Sequence, residues 1–175
     1  MAKTINSGVM YSLSKGKLKP IKVCYDMKVG VGAESFYFQL SAKRGIKLFK
    51  DKQNARMSFT RQNKAHKYRL APKVFSKDVL TVFLPMHFEM LMQKGNDRFD
   101  LSSYFYKGSA WGYVTEHAKV LEKREKKPSD EEIYSLRNKL RRILPRCLFN
   151  DIHRYNLGFI GKKLVNIDFG RLSSN

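Results

Sequence analysis

Two acids and an amide punctuate the last stretch of this chain, and a hairpin pattern separates the second of them from the third. Asp151 and Asn156 stand in an Asp-x-x-x-x-Asn spacing, which lets one short loop aim both side chains at the same pocket. Leu157-Gly158-Phe159-Ile160 and Leu164-Val165-Asn166-Ile167 then read as two short apolar strands with Gly161-Lys162 at the turn, and Asp168-Phe169-Gly170 follows directly. One carboxylate that can orient a hydroxyl, plus amide and carboxylate oxygens that can hold a hard cation, make the donor set that phosphoryl transfer requires.

The order and near-usual separation of Asp151, Asn156 and the Asp168-Phe169-Gly170 triplet resemble the protein-kinase superfamily. The variant Asp151-x-His153-x-x-Asn156 is more similar to the atypical branch than to eukaryotic signalling kinases. That branch holds RIO-type and aminoglycoside-phosphotransferase-like enzymes and small phage or bacterial-effector kinases. Where signalling kinases carry His-Arg before the catalytic Asp, this chain has Phe149-Asn150, and it stops shortly after Gly170. The resemblance therefore implies a minimal kinase without a phosphorylated activation loop. It implies Asp151 as the catalytic carboxylate for the acceptor hydroxyl, and Asn156 and Asp168 as magnesium ligands.

The same family implies a glycine-rich hairpin over the nucleotide phosphates, then a strand bearing a lysine. Val29-Gly30-Val31-Gly32-Ala33-Glu34-Ser35 supplies a Gly-x-Gly-x-x-Ser pattern, in which missing side chains let backbone amides approach phosphates. Taken alone, a Gly-x-Gly is most often a simple hairpin turn. Gly45-Ile46-Lys47-Leu48-Phe49 resembles the Ala-Ile-Lys signature of the third kinase strand, so Gly30, Gly32, Ser35 and Lys47 become candidate ATP contacts, with Lys47 also in a catalytic role. Trp111 to Ala118 resembles the last sheet strand running into the hinge, which makes Glu116 and Ala118 candidate contacts of the adenine.

One member of the usual set is missing. Kinases pair the strand lysine with a glutamate of the next helix, yet no acid lies between Asp51 and Asp78, and alignment on Lys64-Ala65-His66-Lys67-Tyr68-Arg69-Leu70-Ala71-Pro72 puts Ser58 at that position. Lys47 is then left to Glu34, to Glu89 or to the nucleotide itself for orientation. A nucleotide-binding protein with weak or lost catalysis fits the same departure.

Charge is the second unusual feature. Against 15 Asp and Glu stand 35 Lys and Arg, a formal net charge of +20 that draws the protein towards polyanions or acidic protein surfaces. From Lys43 to Lys77 the basic residues are interrupted by a single acid, Asp51; smaller clusters are Lys15, Lys17, Lys19 and Lys22, and Arg137 to Arg146. These are either solvated faces or a docking surface for nucleic acid or an acidic protein partner. An apolar share of 42% argues for a folded globule rather than disorder. No stretch reads as a signal peptide or a membrane span, and Cys24 and Cys147, far apart in apolar settings, suggest reduced thiols in a cytoplasm, that of a host if the origin is a phage or an effector. The four histidines lack the spacing of a zinc site.

The expected architecture is α+β: an antiparallel kinase-like N-lobe sheet with one helix, and a reduced helical C-lobe that ends just after Asp-Phe-Gly. Residues 1–28 read as an N-terminal extension, about 29–118 as the N-lobe and about 119–175 as the C-lobe. Expected strands run from Lys28 to Leu40 as a hairpin, Gly45 to Phe49 and Asp78 to Leu84, with a helix from about Asn54 to Tyr68. Phe88 to Gln93 is an apolar run before a turn at Gly95-Asn96-Asp97. Ser129-Asp130-Glu131-Glu132 is a capping box opening a helix with Ile133, Leu136, Leu140 and Ile143 on one face, stopped by Pro145. With no room for a substrate-binding region after Asp-Phe-Gly, the resemblance implies ATP- and magnesium-dependent transfer to a protein Ser, Thr or Tyr hydroxyl. The alternative is a kinase-shaped binding protein that acts through its basic surface; a metabolite phosphotransferase ranks below both.

Overall fold

A computed structural model describes residues 7–24, 29–31, 35–84, 105, 108–120, 127–145, 152 and 156–169. Asp151, Gly32, Glu34, Glu89, Gly170, the 88–97 stretch and Cys147 lie outside the described residues. The architecture is α+β, a curled antiparallel sheet with two helices and a small second sheet. Among the described residues no helix is long and apolar enough to cross a membrane.

The chain begins with strands β1 (Ser7–Ser14) and β2 (Lys17–Cys24), paired antiparallel. Next come β3 (Val29–Val31), β4 (Ser35–Ser41) and β5 (Arg44–Phe49) as successive antiparallel neighbours. Helix α1 (Lys52–Lys67) precedes β6 (Leu80–Phe83) and β7 (Ser109–Glu116). The sheet runs in the order β2-β1-β6-β7-β5-β4-β3, so β7, late in the sequence, slots between β6 and β5. The residues read as an extension thus add two strands beside β6, and Met10 and Val23 are wholly buried in the main core.

Period-two alternation explains why this sheet separates two environments. Phe36 and Phe38 of β4 and Ile46 and Leu48 of β5 point into the hollow of the curl, where they meet Met10, Val23, Val82 and Phe105; the rings of Phe36 and Phe38 lie 5.9 Å apart. The opposite face carries Phe49 and Tyr113 against Ala55, Val74 and Phe59, at the contact with α1. β5 is therefore covered on both faces from its second residue to its last, and this puts Lys47 in the interior.

α1 starts where Asp51 caps it, its carboxylate accepting from the Asn54 amide at 2.8 Å, and ends in a basic turn with Lys64, His66 and Lys67 beside the negative end of the helix dipole. Its inner stripe is unusual, because Ser58 and Gln62 are as buried as Ala55 and Ala65. The second helix, α2 (Asp130–Ile143), opens with both halves of the Ser129–Glu132 capping box in place, at 2.8 and 3.2 Å. Leu136 and Leu140 bury against Ala65, Leu70, Leu157 and Phe169. Arg137 reaches the Ile152 carbonyl at 3.4 Å, which ties the residue after Asp151 in sequence to this helix.

The second sheet is formed by β8 (Lys119–Val120), β9 (Leu157–Ile160) and β10 (Lys163–Asn166), ordered β10-β9-β8. β9 and β10 are the hairpin expected between Asn156 and Asp168, with Ile160 opposite Lys163 and Gly161 at a φ of 60. A positive φ at the first central residue of a two-residue turn matches the right-handed twist of the strands, and glycine takes it without steric cost.

Candidate functional site

The site forms where β5 of the large sheet meets the end of β10 of the small one. Lys47 is 7% exposed, and cross-strand partners Tyr37 and Tyr113 flank it on the same face of the sheet. Its ammonium donates to the carbonyl of Ile167, a residue 120 positions away and immediately before Asp168. Burial pulls the Lys47 pKa below its ordinary value, because an ammonium loses hydration inside the protein, and the negative charge of Asp168 opposes that shift. The hydrogen bond to Ile167 thus brings Lys47 and the residue next to Asp168, from the two ends of the candidate motif set, to one place.

Three hydrogen bonds, two between backbone groups and one from a side chain, hold the Asp168 side of this site. The Ile167 amide donates to the Asn156 carbonyl at 2.9 Å and closes the base of the β9–β10 hairpin, so Asn156 and the residue before Asp168 are fastened together. The Asn166 amide donates to the Leu70 carbonyl at 3.0 Å, which anchors the hairpin to the segment leaving α1. The Asn166 side chain, 1% exposed, donates to the Asp168 carbonyl. Asn156 and Asp168 are hard oxygen donors, one amide and one carboxylate, and such a set fits magnesium, which is held by one or two carboxylates together with phosphate oxygens.

Ser58 does not take the place of the missing glutamate as a charge partner. Its hydroxyl, wholly buried, lies 2.8 Å from the hydroxyl of Tyr113, which donates in turn to the Gln62 side-chain carbonyl at 3.0 Å. The Gln62 amide donates to Thr115 Oγ1 at 2.6 Å and to the Pro72 carbonyl at 3.0 Å, and Thr115 donates to the Lys73 carbonyl at 3.1 Å. Each group in the chain from Ser58 to Lys73 is thus matched, donor to acceptor, as a polar network in low dielectric must be. Lys47, opposite Tyr113 in the ladder, is oriented instead by a backbone carbonyl. Burial and the charge of Asp168 raise the Tyr113 pKa, while the Ser58 hydrogen bond works against them, so this phenol stays protonated at every ordinary pH.

Removing the phenol hydroxyl leaves Ser58 and Gln62 unsatisfied in the interior. Tyr113→Phe should therefore cost about 1–3 kcal/mol in denaturant unfolding, although no apolar contact is lost.

The other sequence candidates spread around this centre. Gly30 pairs with Tyr37 across β3 and β4, and Ser35 opens β4 opposite Phe49. Glu116 ends β7; its amide donates to the Lys73 carbonyl at 2.8 Å while its carboxylate accepts from the Lys73 amide at 3.1 Å. This reciprocal pair docks the 73–75 segment along β7. Ala118, 6% exposed, follows just before β8. Asp151 and Gly32 fall outside the described residues.

Sequence reasoning did not single out Tyr113, Gln62, Thr115, Tyr37 or His117. A signal existed for the first three: Ser58 and Gln62 stand four apart on a helix whose other inward residues are alanines, while Tyr113 and Thr115 share one face of a strand, so polar groups recur at two buried periodicities. Tyr37 and His117 carried no such mark. Their side chains meet with Tyr37 Oη 2.7 Å from His117 Nδ1 and with the rings 19° from parallel. Burial raises the Tyr37 pKa. Comparison with family models, with curated proteins and with solved structures found no match.

Proposed function

We propose that this chain is a minimal protein kinase that transfers the terminal phosphoryl group of ATP to a protein hydroxyl with magnesium. The observation that carries this reading is the buried Lys47 ammonium bonded to the residue before Asp168 and sensing the Asp168 charge. Isolated lysines are seldom buried, because desolvation costs more than most contacts return, and a strongly perturbed lysine beside a carboxylate is a mark of a functional centre. The order of elements supports the same reading: a hairpin with Gly30, a strand with Lys47, a helix, two further strands, a crossing segment at Glu116 to Ala118, a capped helix, and a hairpin running into Asp168. In this family the sheet and its helix form the upper lobe.

In this mechanism the backbone around Gly30, Gly32 and Ser35 covers the phosphates, and Lys47 holds them from β5, inside the sheet between β4 and β7. Glu116 and Ala118 lie along the adenine. Asn156 and Asp168 hold magnesium, which when bound neutralises charge on the phosphates. Asp151 orients the acceptor hydroxyl and accepts its proton. Most of the rate then comes from positioning and fixed charge rather than from covalent chemistry on the protein.

Melting with and without magnesium and ATP tests the binding half, since nucleotide at 100 times its dissociation constant adds about 2.7 kcal/mol of stability. Radiolabelled transfer to protein in a cell lysate tests the chemistry, and Asp151→Asn should abolish labelling while the melting shift remains. Labelling that persists in that variant removes Asp151 from the mechanism.

A second reading has its own support. Ser58 spends its hydroxyl on Tyr113, and the Lys47 ammonium is already engaged by Ile167, an arrangement compatible with a kinase-shaped protein that binds an acidic protein or nucleic acid through its basic faces without transfer. No melting shift with magnesium and ATP, together with salt-sensitive binding to DNA or RNA, selects this alternative.

A further inference from the structure

The Lys15-Gly16 turn closes the first hairpin with both residues at positive φ, 50 and 73, the two-residue geometry whose twist matches that of the paired strands. Leu13 and Leu18 face each other across the ladder just before this turn, Tyr11 and Pro20 form another facing pair, and Tyr11 also stands opposite Phe83 of β6. By the two-residue alternation all five side chains lie on one face of the sheet, and all five are exposed. Leu18, on the outermost strand, is 59% exposed, whereas Tyr11, Leu13 and Phe83, further in, are each 38% exposed. Exposure thus grows outward, as on a convex edge and unlike a groove.

Lysine frames this patch. Lys22 shares the face of Leu18 and Pro20, Lys17 and Lys19 stand on the other face of β2, and Lys15 occupies the turn; all four are exposed. No acid precedes Asp26 in the chain, and no arginine precedes Arg44. Four cations repel a second copy of the same face, and lysines together with Pro20 on an edge strand discourage pairing with a foreign strand. Lysine is also depleted from protein–protein interfaces, where arginine is favoured, and leucine and proline offer no plane on which a nucleic-acid base can stack. At a lipid surface the same residues suit one another. The aliphatic stem of a lysine lies along apolar groups while its ammonium reaches the anionic headgroups.

We infer that the β1–β2 hairpin is a peripheral docking surface for an anionic lipid bilayer, with Leu13 and Leu18 entering the headgroup boundary and Lys15, Lys17, Lys19 and Lys22 meeting the lipid phosphates. Attachment of this kind needs no membrane-crossing helix. β1 and β2 lie beyond β7 and β6 from the strand of Lys47, so the inference does not rest on phosphoryl transfer.

Cosedimentation of the full chain with vesicles of phosphatidylcholine, with and without phosphatidylserine, tests this. The parent should bind only the vesicles that contain phosphatidylserine. Leu13→Ser combined with Leu18→Ser, which leaves the charge unchanged, should lower that binding by roughly tenfold. Lys17→Glu with Lys22→Glu should lower it by at least about tenfold more than Arg56→Glu with Lys64→Glu, an identical charge change at exposed positions of α1. Thermal melts establish that the variants are folded; should the leucine variant fail to fold, the two charge variants decide alone. Equal loss from the two charge variants, or full binding by a folded leucine variant, means that net charge alone draws the protein to lipid, and it overturns the docking surface. A parent that binds both vesicles equally, or that binds neither while binding soluble polyglutamate or duplex DNA, overturns it as well, and so does one that binds none of these.

Discussion

Lys47→Met should reduce phosphoryl transfer at least about a hundredfold, the scale on which removal of one fixed electrostatic donor slows a reaction, as measured by radiolabel incorporation at saturating ATP. Methionine matches the length and apolar stem of lysine, so the space on β5 stays filled. The same variant carries a second, independent readout. Because burial holds the Lys47 pKa below its ordinary value of 10.5 in the folded chain, the unfolded chain binds more protons than the folded one between the folded pKa and 10.5. Stability of the parent protein therefore rises with pH across that window, and the penalty of the buried charge is fully present below it. In Lys47→Met this contribution vanishes, and the rise in denaturation midpoint on going from neutral pH towards 10 should be smaller than in the parent. An unchanged slope would show that Lys47 is solvated and is not held at the Ile167 carbonyl. Loss of transfer with an unchanged slope would assign Lys47 a role in chemistry from a different position.

Gly112→Ala should destabilise the fold by roughly 3 kcal/mol and lower the melting temperature by about 6–12 °C. A Cβ at Gly112 would run into the carbonyl oxygen of Lys47 and would also crowd Leu48 Cδ2. A flexible side chain could move away, whereas the Lys47 carbonyl belongs to the β5 ladder between β4 and β7 and can shift only with its strand. The clash therefore acts on the position of the candidate nucleotide lysine as well as on stability. The melting shift produced by magnesium and ATP should shrink in this variant even at temperatures where it is folded. A variant as stable as the parent would show that β5 and β7 are not packed as closely as the sheet requires.

Local signals were legible in the sequence wherever the interaction that shapes an element lies within a few residues. The capping box of α2 is one case, since Ser129 and Glu132 satisfy each other's backbone groups three residues apart. The β9–β10 hairpin is another, where apolar strands and a Gly161 turn lie side by side in the chain. The strand carrying Lys47 and the helix after it also fall close to where hydrophobic periodicity sets them, although α1 begins at Lys52, two residues before the expected Asn54, because Asp51 provides the cap.

The first hairpin was not legible as part of the sheet. Met10, Ser12, Ile21 and Val23 turn inward from β1 and β2, and one of these is a serine, while the outward positions include Tyr11, Leu13 and Leu18. With apolar residues on both faces and lysines between them, alternation gives no clear inner side. Their place beside β6 depends on Tyr11, Ser12 and Leu13 meeting Phe83, Val82 and Thr81, some 70 residues later in the chain.

Chain order alone determined which chemical groups are available to this protein: an Asp and Asn in one loop, a second Asp after a hairpin, a lysine on an apolar strand, and no glutamate on the helix that follows it. Only the tertiary structure decided what those groups face. It turned the Lys47 ammonium to the Ile167 carbonyl, spent Ser58 on Tyr113 and laid Tyr37 over Gly45. The physical reason is that hydrogen bonds and desolvation are short-range, so their partners are set by which strands become neighbours in space, and residues 47 and 167 acquire each other only after the two sheets have come together.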